Sequence, residues 1–262
     1  MRNVIYYFTG TGNSMRAAQV IAQELNDTEI ISMRTSPSDY SKLAVERIGF
    51  VFPVYHWTIP ETVIQFIKNL ELPPDAYIFA ISMPAFVNGK SMEELALLLK
   101  EKGCNLSYGN KVYSVANYVA MYPPFPNPKK RVPKTEEQLR IISKEISQKE
   151  IRNYPKPNFL VNTLFHKIMD RYIKNCPSND KYFKVWDDCI SCGLCVKVCP
   201  CKNIIMQNGK PTFQHQCNQC MACISFCPKE SINFPYFTRK RKKYHNPYIN
   251  SNDIVSNRKH YK

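Results

Sequence analysis

Residues 4–14 read VIYYFTGTGNS and mark the passage from a predicted strand to a predicted helix. Val4–Phe8 is a nearly continuous apolar run, typical of a parallel strand that is covered on both faces. The loop after it consists of small and hydroxyl residues and leads into a helical stretch over Ser14–Leu25. Such a loop directs backbone N–H groups and hydroxyls at a phosphate over a helix N-terminus. The candidate phosphate-binding residues are Thr9, Gly10, Thr11, Gly12, Asn13 and Ser14.

The composition of this loop separates it from two other phosphate-binding loops. A dinucleotide fingerprint, G-x-G-x-x-G, would need a glycine where Met15 stands, and a Walker loop would need Gly-Lys-Ser/Thr. The hydroxyl-rich version suits a terminal monophosphate better than a bridging pyrophosphate. An ordinary polar turn is the alternative, but the position directly after the first strand favours phosphate binding.

The following hundred residues continue the alternation of strands and helices. Helical stretches begin near Pro60 and near Ser91, where Glu94 three residues later indicates a capping box. The βαβαβ order predicts an α/β fold with a doubly wound parallel sheet of five strands. The four further strands are predicted at Ile30–Met33, Ile48–Phe52, Tyr77–Met83 and Val112–Ala120.

A second pattern is a repeat of cysteines at an offset of 28 residues. Residues 189–200 read CISCGLCVKVCP and residues 217–228 read CNQCMACISFCP, both of the form C-x2-C-x2-C-x3-C-P. This is the bacterial spacing for cubane iron–sulfur clusters, whose iron prefers soft thiolate ligands. A zinc site or unrelated buried cysteines are the alternatives, but zinc motifs usually pair two cysteines with a distant second pair. The repeat therefore predicts two clusters.

Charge is distributed unevenly along the chain, whose net charge is +15. Residues 1–125 hold 10 basic and 11 acidic side chains, whereas residues 126–262 hold 26 and 10. The contrast predicts separate domains, joined by a segment with helices at about Thr135–Ile146 and Asn158–Lys174. The expected boundaries are 1–122 for the α/β domain, 123–182 for a basic helical linker, 183–236 for a small α+β cluster domain and 237–262 for a basic tail.

The sequence also gives expectations about compartment. No apolar run approaches the ~18 residues of a membrane-spanning helix, and the first ten residues lack the layout of a signal peptide. We therefore expect a cytoplasmic protein with no membrane partner, in which thiols stay reduced. Eleven cysteines in that setting indicate metal ligands rather than disulfides.

The N-terminal part resembles the flavodoxins. Thr9, Thr11, Gly12 and Ser14 match the family's (S/T)-x-T-G-x-(T/S) loop for the FMN phosphate. The resemblance extends over residues 1–122 and implies the strand order 2-1-3-4-5, with FMN between the first and third strands. It places two loops beside the flavin, PVYHWTIP at 53–60 and Met83–Gly89, although their aromatics could instead be core or interface residues. The further FMN-contact candidates are Pro53, Tyr55, His56, Trp57 and Asn88.

The cysteine repeat resembles the bacterial two-[4Fe-4S] ferredoxins over about 50 residues. Carried over by position, the resemblance implies that each cluster takes its fourth ligand from the other repeat. One cluster would then be held by Cys189, Cys192, Cys195 and Cys227, and the other by Cys217, Cys220, Cys223 and Cys199. We interpret the remaining cysteines, Cys104, Cys176 and Cys201, as bystanders.

Together these parts resemble the flavodoxin–ferredoxin fusion proteins of anaerobic prokaryotes. The resemblance implies electron transfer between FMN and two [4Fe-4S] clusters, and no catalytic side-chain arrangement is recognised. The alternative is an FMN-dependent oxidoreductase that reduces a small molecule with electrons from its clusters. With bound cofactors the net charge stays near roughly +9, so we expect acidic redox partner proteins.

A third hypothesis, a nucleic-acid-binding or regulatory protein, depends on the basic run RKRKK at 239–243. A solvated tail is the favoured interpretation of that run, so a nucleic-acid partner is not expected.

Overall fold

The computed structural model describes residues 2–37, 45–156, 173–234 and 236–262. Nearly all of the helix predicted at Asn158–Lys174 lies outside these residues. In the N-terminal part, strands and helices alternate in the predicted manner. They are β1 (Arg2–Tyr7), α1 (Asn13–Leu25), β2 (Thr28–Ser32), β3 (Val45–Pro53), α2 (Glu61–Lys68), β4 (Tyr77–Met83), α3 (Ser91–Glu101) and β5 (Leu106–Lys111).

The remaining elements are shorter apart from one long helix. They are α4 (Pro128–Ser147), a 3-10 helix (Pro177–Tyr182), β6 (Lys184–Val185), α5 (Leu194–Val198), β7 (Ile204–Gln207), β8 (Lys210–Phe213), α6 (Ala222–Ser225), β9 (Ile232–Asn233), a 3-10 helix (Tyr236–Lys240), α7 (Ser251–Val255) and β10 (Arg258–Tyr261). Among the described helices, none combines the length and the apolar character that a membrane crossing requires.

The main sheet has the order β10-β2-β1-β3-β4-β5, and its first five strands along the chain are parallel. This confirms the doubly wound sheet and its 2-1-3-4-5 order. The strands β1 and β4 are buried almost throughout because helices cover both faces of the sheet. The carboxyl ends of β1, β3 and β4 therefore meet at one edge, where the loops that follow them converge.

The predicted position of the fifth strand is wrong. The strand is Leu106–Lys111, with the sequence LSYGNK, and not the apolar run Val112–Ala120. An edge strand has a neighbour on one side and tolerates polar residues, so LSYGNK gave little signal. The apolar run forms a loop instead, in which Val115 and Ala116 are buried.

The prediction of a solvated C-terminal tail is wrong for much of that segment. The chain folds back along the sheet, and β10 pairs antiparallel with β2, so that the sheet has six strands. Glu29 in β2 is buried and forms ion pairs with Arg2 and Arg258. Within the basic run, Arg241 donates to Val119 O at 2.6 Å and Lys243 donates to Thr238 O at 2.5 Å.

Helix α4 covers one face of the main sheet. It begins at Pro128, about two turns before the predicted start, because Asn127 accepts a hydrogen bond from Lys129 N at 3.0 Å. The apolar side chains of Leu139, Ile142 and Ile146 are buried against α1. The cysteine-rich part forms two small antiparallel ribbons, β6–β9 and β7–β8, around a small core that also includes Val119 and Ala120.

Candidate cofactor sites

The loop between β1 and α1 has the geometry of a phosphate cradle. Gly12 caps α1 in the left-handed region, with φ of 96°, and its N–H donates to Thr9 Oγ1 at 3.0 Å. Ser14, one residue into the helix, is 1% exposed, and its hydroxyl has no hydrogen-bond partner among the described residues. A buried hydroxyl at a helix N-terminus is a donor placed for an anionic oxygen. The loop therefore fits a single phosphate group.

Segments that are distant in sequence enclose this loop. A Cβ at Gly10 would lie 2.4 Å from Cys220 O, so position 10 has no room for a side chain. On the other side, Asn246 N donates to Thr11 O at 2.8 Å. Asn13 Oδ1 accepts from Tyr244 OH at 2.8 Å and from Asn246 Nδ2 at 3.1 Å. The cysteine repeat and the C-terminal segment thus both form walls of the phosphate loop, which the sequence did not indicate.

A cavity of about 710 Å³ opens from the loop along the carboxyl edge of the sheet. We call it the flavin cavity because the resemblance to flavodoxins implies FMN at this edge of the sheet, and its size falls in the range of cofactor sites. The predicted residues that line it are Thr9, Gly10, Thr11, Asn13, Ser14, Pro53, Tyr55, His56 and Trp57. The predicted loop Met83–Gly89 contributes Phe86 and Val87 to the lining. Lining residues that were not predicted include Ala116, Tyr118, Met121, Tyr182 and Gln219.

Two predicted residues are not among the lining residues. Gly12 turns the chain into α1, as described above. Asn88 is buried in the loop after β4, where its Oδ1 accepts hydrogen bonds from Ser82 Oγ at 2.6 Å and Ser91 Oγ at 3.2 Å. The structure therefore shows Asn88 fixing the second loop to β4.

The aromatic residues after β3 are presented by a strained turn. Tyr55 N donates to Thr58 O at 3.2 Å and Thr58 N donates to Tyr55 O at 3.0 Å, which closes a two-residue hairpin. His56 and Trp57 have φ of 50° and 67°, as a type I′ turn requires. This left-handed region of backbone conformation is usually occupied by glycine or asparagine, and it costs other residues about 1–2 kcal/mol each. The turn must therefore be held by its surroundings.

Contacts from α3 and from the loop before it hold this turn. Lys90 N donates to Trp57 O at 3.0 Å, and Gly89 lies so close that a Cβ there would overlap Trp57 O. Glu94 Oε2 accepts from Ile59 N at 3.0 Å and also binds the Thr58 hydroxyl. The predicted Ser91–Glu94 capping box is therefore wrong, because the carboxylate of Glu94 faces the turn.

Burial affects the ionisation of the turn residues. It lowers the pKa of His56 to about 4, so the imidazole is neutral at pH 7. Burial, together with the nearby thiol of Cys220, raises the pKa of Tyr55 well above its usual value. Both rings enter the flavin cavity uncharged, and an uncharged aromatic wall suits a planar heteroaromatic ring.

The cysteines of the repeat line two further cavities. The outer cavity is lined by Cys189, Cys192, Cys195 and Cys227. The inner cavity is lined by Cys199, Cys217, Cys220 and Cys223, together with Cys201. The structure thus brings each fourth cysteine beside the first three of the other repeat. Among the described residues, no three ligating side chains converge as tightly as a single metal ion needs; the thiols surround cavities instead.

Backbone N–H groups point at several of these sulfurs. Asn203 N donates to Cys199 Sγ and Ser231 N donates to Cys227 Sγ, both at 3.3 Å and at equivalent positions of the repeat. Gln219 N donates to Cys217 Sγ at 3.2 Å. Hydrogen bonds to the sulfurs are among the features that set cluster potentials.

A buried carboxylate organises the loops of the inner cavity. Asp180 is fully buried and accepts hydrogen bonds from Asn203 Nδ2 at 2.9 Å and His215 N at 2.8 Å. Asn203 in turn accepts from Gln214 N and Gln216 N, just before Cys217. These bonds connect the segment that carries Cys199 with the segment that carries Cys217.

The flavin cavity and the inner cavity share a wall. Cys220 lines both of them, with its backbone against Gly10. Beside it, Cys176 Sγ lies 3.8 Å from His56 Nε2 and 3.7 Å from Cys217 O. Tyr118 in the flavin cavity donates its hydroxyl to Gln219 Oε1. A single residue thus separates the two spaces.

Comparisons with solved structures give fold-level likenesses. The Streptococcus pneumoniae TIGR4 flavodoxin is 16% identical with a TM-score of 0.41, and the match covers 57% of this chain and 99% of that one. The two-electron reduced Megasphaera elsdenii flavodoxin is 16% identical with a TM-score of 0.38, covering 54% and 98%. Rubredoxin oxygen:oxidoreductase from Desulfovibrio gigas is 18% identical with a TM-score of 0.40, covering 56% of this chain and 35% of that one. A search among curated proteins finds no match.

Family models match the N-terminal part of the chain and the cysteine repeat separately. A flavodoxin domain model matches residues 4–119, and two 4Fe-4S binding domain models match residues 182–205 and 214–236. These domains imply FMN and two [4Fe-4S] clusters as cofactors and an electron-transfer role. The chain therefore has the organisation of a flavodoxin–ferredoxin fusion protein.

Proposed function

We propose that this protein passes electrons between FMN in the flavin cavity and two [4Fe-4S] clusters in the inner and outer cavities. Residues 1–122 carry the flavin in this proposal and residues 183–236 carry the clusters. The loop at residues 9–14 holds the phosphate, and the turn at residues 55–58 flanks the ring. Bound flavin exchanges electrons singly or in pairs, whereas each cluster carries one, so the protein converts between the two modes.

The ligand sets in this proposal are the crossed ones. The outer cluster is bound by Cys189, Cys192, Cys195 and Cys227, and the inner cluster by Cys217, Cys220, Cys223 and Cys199. The grouping of these residues around two separate cavities supports this assignment.

The observation that carries the proposal is the position of Cys220. Its side chain and backbone form the wall between the flavin cavity and the inner cavity, and Gly10 lets the two loops touch. An electron that leaves the inner cluster therefore has one residue to cross before it reaches the flavin. No other cofactor or mobile carrier is needed for this step.

The two cavities differ in their access to solvent. Cys199 and Cys223 of the inner cavity are each 8% exposed, whereas Cys192 of the outer cavity is exposed and has the exposed side chain of Ile190 nearby in sequence. We propose that partner proteins exchange electrons with the outer cluster. The order of transfer is then partner, outer cluster, inner cluster and FMN, or the reverse.

The charge of the protein supports acidic partners in a cytoplasmic setting. The net charge is +15, and Lys129, Lys130, Lys134 and Lys144 lie exposed on α4. Such a field steers acidic proteins toward the surface and raises their rate of association. Rates of electron exchange with an acidic ferredoxin should then fall as salt rises.

A second candidate function is reduction of a small molecule by the flavin. The cavity has an apolar mouth in which Phe86, Val87 and Met121 are 51%, 41% and 71% exposed. An exposed apolar rim of this kind could admit an apolar substrate beside the flavin. Repeated turnover of such a substrate with a supplied chemical reductant and without a partner protein would favour this candidate, whereas a pure carrier would show no such turnover.

The proposal is tested with two variants under anaerobic conditions. Wild-type protein should hold two clusters and one FMN, counted as iron, sulfide and flavin per chain. Cys192→Ala should slow reduction by a partner protein while exchange between the inner cluster and FMN stays rapid. Cys220→Ala should abolish that exchange. Unchanged flavin reduction kinetics in the Cys220→Ala protein would show that electrons do not pass through the inner cluster.

A further inference from the structure

The inner cavity has one more sulfur than a cubane cluster requires. Four thiolates bind a [4Fe-4S] cluster, yet five cysteines line this cavity, and the fifth is Cys201. Its sulfur lies 3.8 Å from Thr62 Oγ1, a residue of α2, on the side of the cavity that faces the main sheet. Thr62 also accepts a hydrogen bond from Asn218 Nδ2 at 2.6 Å, next to Cys217. Thr62 therefore connects the sulfur of Cys201 with the segment that carries Cys217.

Residues 199–202 form a turn, and its third residue, Cys201, lies at the cavity wall. Lys202 N donates to Cys199 O at 3.4 Å, and Lys202 has φ of 52°. This brings the side chains of Cys199 and Cys201, two residues apart, to the same space.

The second repeat contains the same turn without the extra sulfur. Glu230 N donates to Cys227 O at 3.1 Å, and Glu230 has φ of 49°. The third residue of this turn is Lys229, and it lines the outer cavity just as Cys201 lines the inner one. The backbone thus places the third residue of this turn at the cavity wall in both repeats, and only the first repeat has a thiol there.

We infer that Cys201 is a reserve ligand of the inner cluster, which binds the iron normally held by Cys199 when Cys199 is lost or displaced. The inference rests on the proposed function, because it assumes a [4Fe-4S] cluster in the inner cavity. In the exchange, the bond from iron to Cys199 Sγ breaks and that thiolate takes up a proton. The Cys201 thiol releases a proton and forms the new iron–sulfur bond, so no electron is gained or lost.

The experiment compares four proteins, all purified without oxygen. Wild type reports whether two clusters are present. Cys199→Ala should keep its iron and sulfide close to the wild-type content, with a changed magnetic resonance signal from the inner cluster. Cys199→Ala/Cys201→Ala should lose one cluster, about half of the iron. Cys227→Ala is the matched control, because Lys229 offers no thiol, and it should also lose one cluster.

The outcomes separate the inference from the proposed function. A wild-type protein without two clusters would refute the proposed function itself. If wild type holds two clusters but Cys199→Ala loses as much iron as the double variant, Cys201 is not a reserve ligand. A Cys199→Ala protein that fails to fold, judged by circular dichroism and FMN binding, also overturns the inference, because a reserve ligand would have preserved the inner cluster.

Discussion

The unpaired hydroxyl of Ser14 leads to a prediction with two opposite effects. In the flavin-free protein this buried hydroxyl has no partner among the described residues. A buried polar group without a hydrogen bond costs about 1–3 kcal/mol. Ser14→Ala removes that cost, so we expect the flavin-free protein, with its clusters in place, to become more stable by about 1 kcal/mol.

The same change should weaken the binding of FMN. A hydrogen bond to a charged group contributes about 1.5–3 kcal/mol, and each 1.4 kcal/mol is a factor of ten in affinity. We therefore expect the Kd for FMN to rise roughly 10- to 100-fold in the Ser14→Ala protein. Riboflavin lacks the phosphate, so its affinity should stay unchanged.

Thr9→Val gives the contrasting case at the same loop. Thr9 Oγ1 accepts the hydrogen bond of Gly12 N at 3.0 Å, and valine has nearly the same shape without an acceptor. The buried N–H of Gly12 then loses its partner, and the flavin-free protein should lose about 1–3 kcal/mol. Ser143→Ala, at a buried serine of α4 that donates to Leu139 O, controls for serine-to-alanine exchange in a helix and should leave FMN affinity unchanged.

The assays are denaturant unfolding of the flavin-free protein and titration of flavin fluorescence. The reasoning is refuted if Ser14→Ala destabilises the flavin-free protein. It is also refuted if the variant weakens riboflavin as much as FMN, because the hydroxyl would then act on the fold or the ring and not on the phosphate.

Three further predictions concern stability and self-association. The pKa of His56 is about 4 in the folded protein and about 6.5 in the unfolded chain, so the unfolded chain binds a proton that the folded protein does not. Lowering the pH from 7 to 5 should therefore reduce the free energy of unfolding of the flavin-free protein by about 2 kcal/mol. Urea titration of His56→Leu should show no such loss. Asp180→Ala leaves the donors of Asn203 and His215 unpaired and should cost about 3 kcal/mol, with iron lost first from the inner cluster. Deletion of residues 258–262 removes β10 and uncovers the edge of β2, so the shortened protein should self-associate. Size-exclusion chromatography measures this association, and a monomer of unchanged stability would contradict the prediction.

The sequence predicted the parts of the fold that depend on local pattern. Val4–Phe8 and Tyr77–Met83 are buried strands because both faces of the sheet are covered, and this leaves an uninterrupted apolar run. The prediction of the fifth strand is wrong because it relied on the same apolar pattern. A strand at the edge of the sheet need not be apolar, and the apolar run at 112–120 forms the loop beside the cavity instead of a strand.

Contacts between residues that are distant in the chain could not be predicted from the sequence. Asn246 binds the phosphate loop at Thr11, more than 230 positions earlier in the chain, and the tail around it has no periodicity that would indicate burial. Side chains such as Tyr244 and Ile249 are buried although the segment that carries them is irregular. A single buried residue in an irregular segment produces no repeating signal, so such a segment is indistinguishable in sequence from a solvated one.

The two glycines of the phosphate loop connect cofactor binding with the assembly of the whole chain. Gly10 faces Cys220 of the cysteine repeat, and Gly12 faces Ile249 of the C-terminal segment, in both cases too closely for a Cβ. The loop is thus enclosed from two sides by parts of the chain that follow it by more than 200 residues. On the proposed function, FMN in this loop would stabilise the docked arrangement by mass action, because the undocked chain lacks the complete site. The same arrangement places Cys220 beside the flavin cavity, so the state that retains FMN would also be the state in which the inner cluster reaches it.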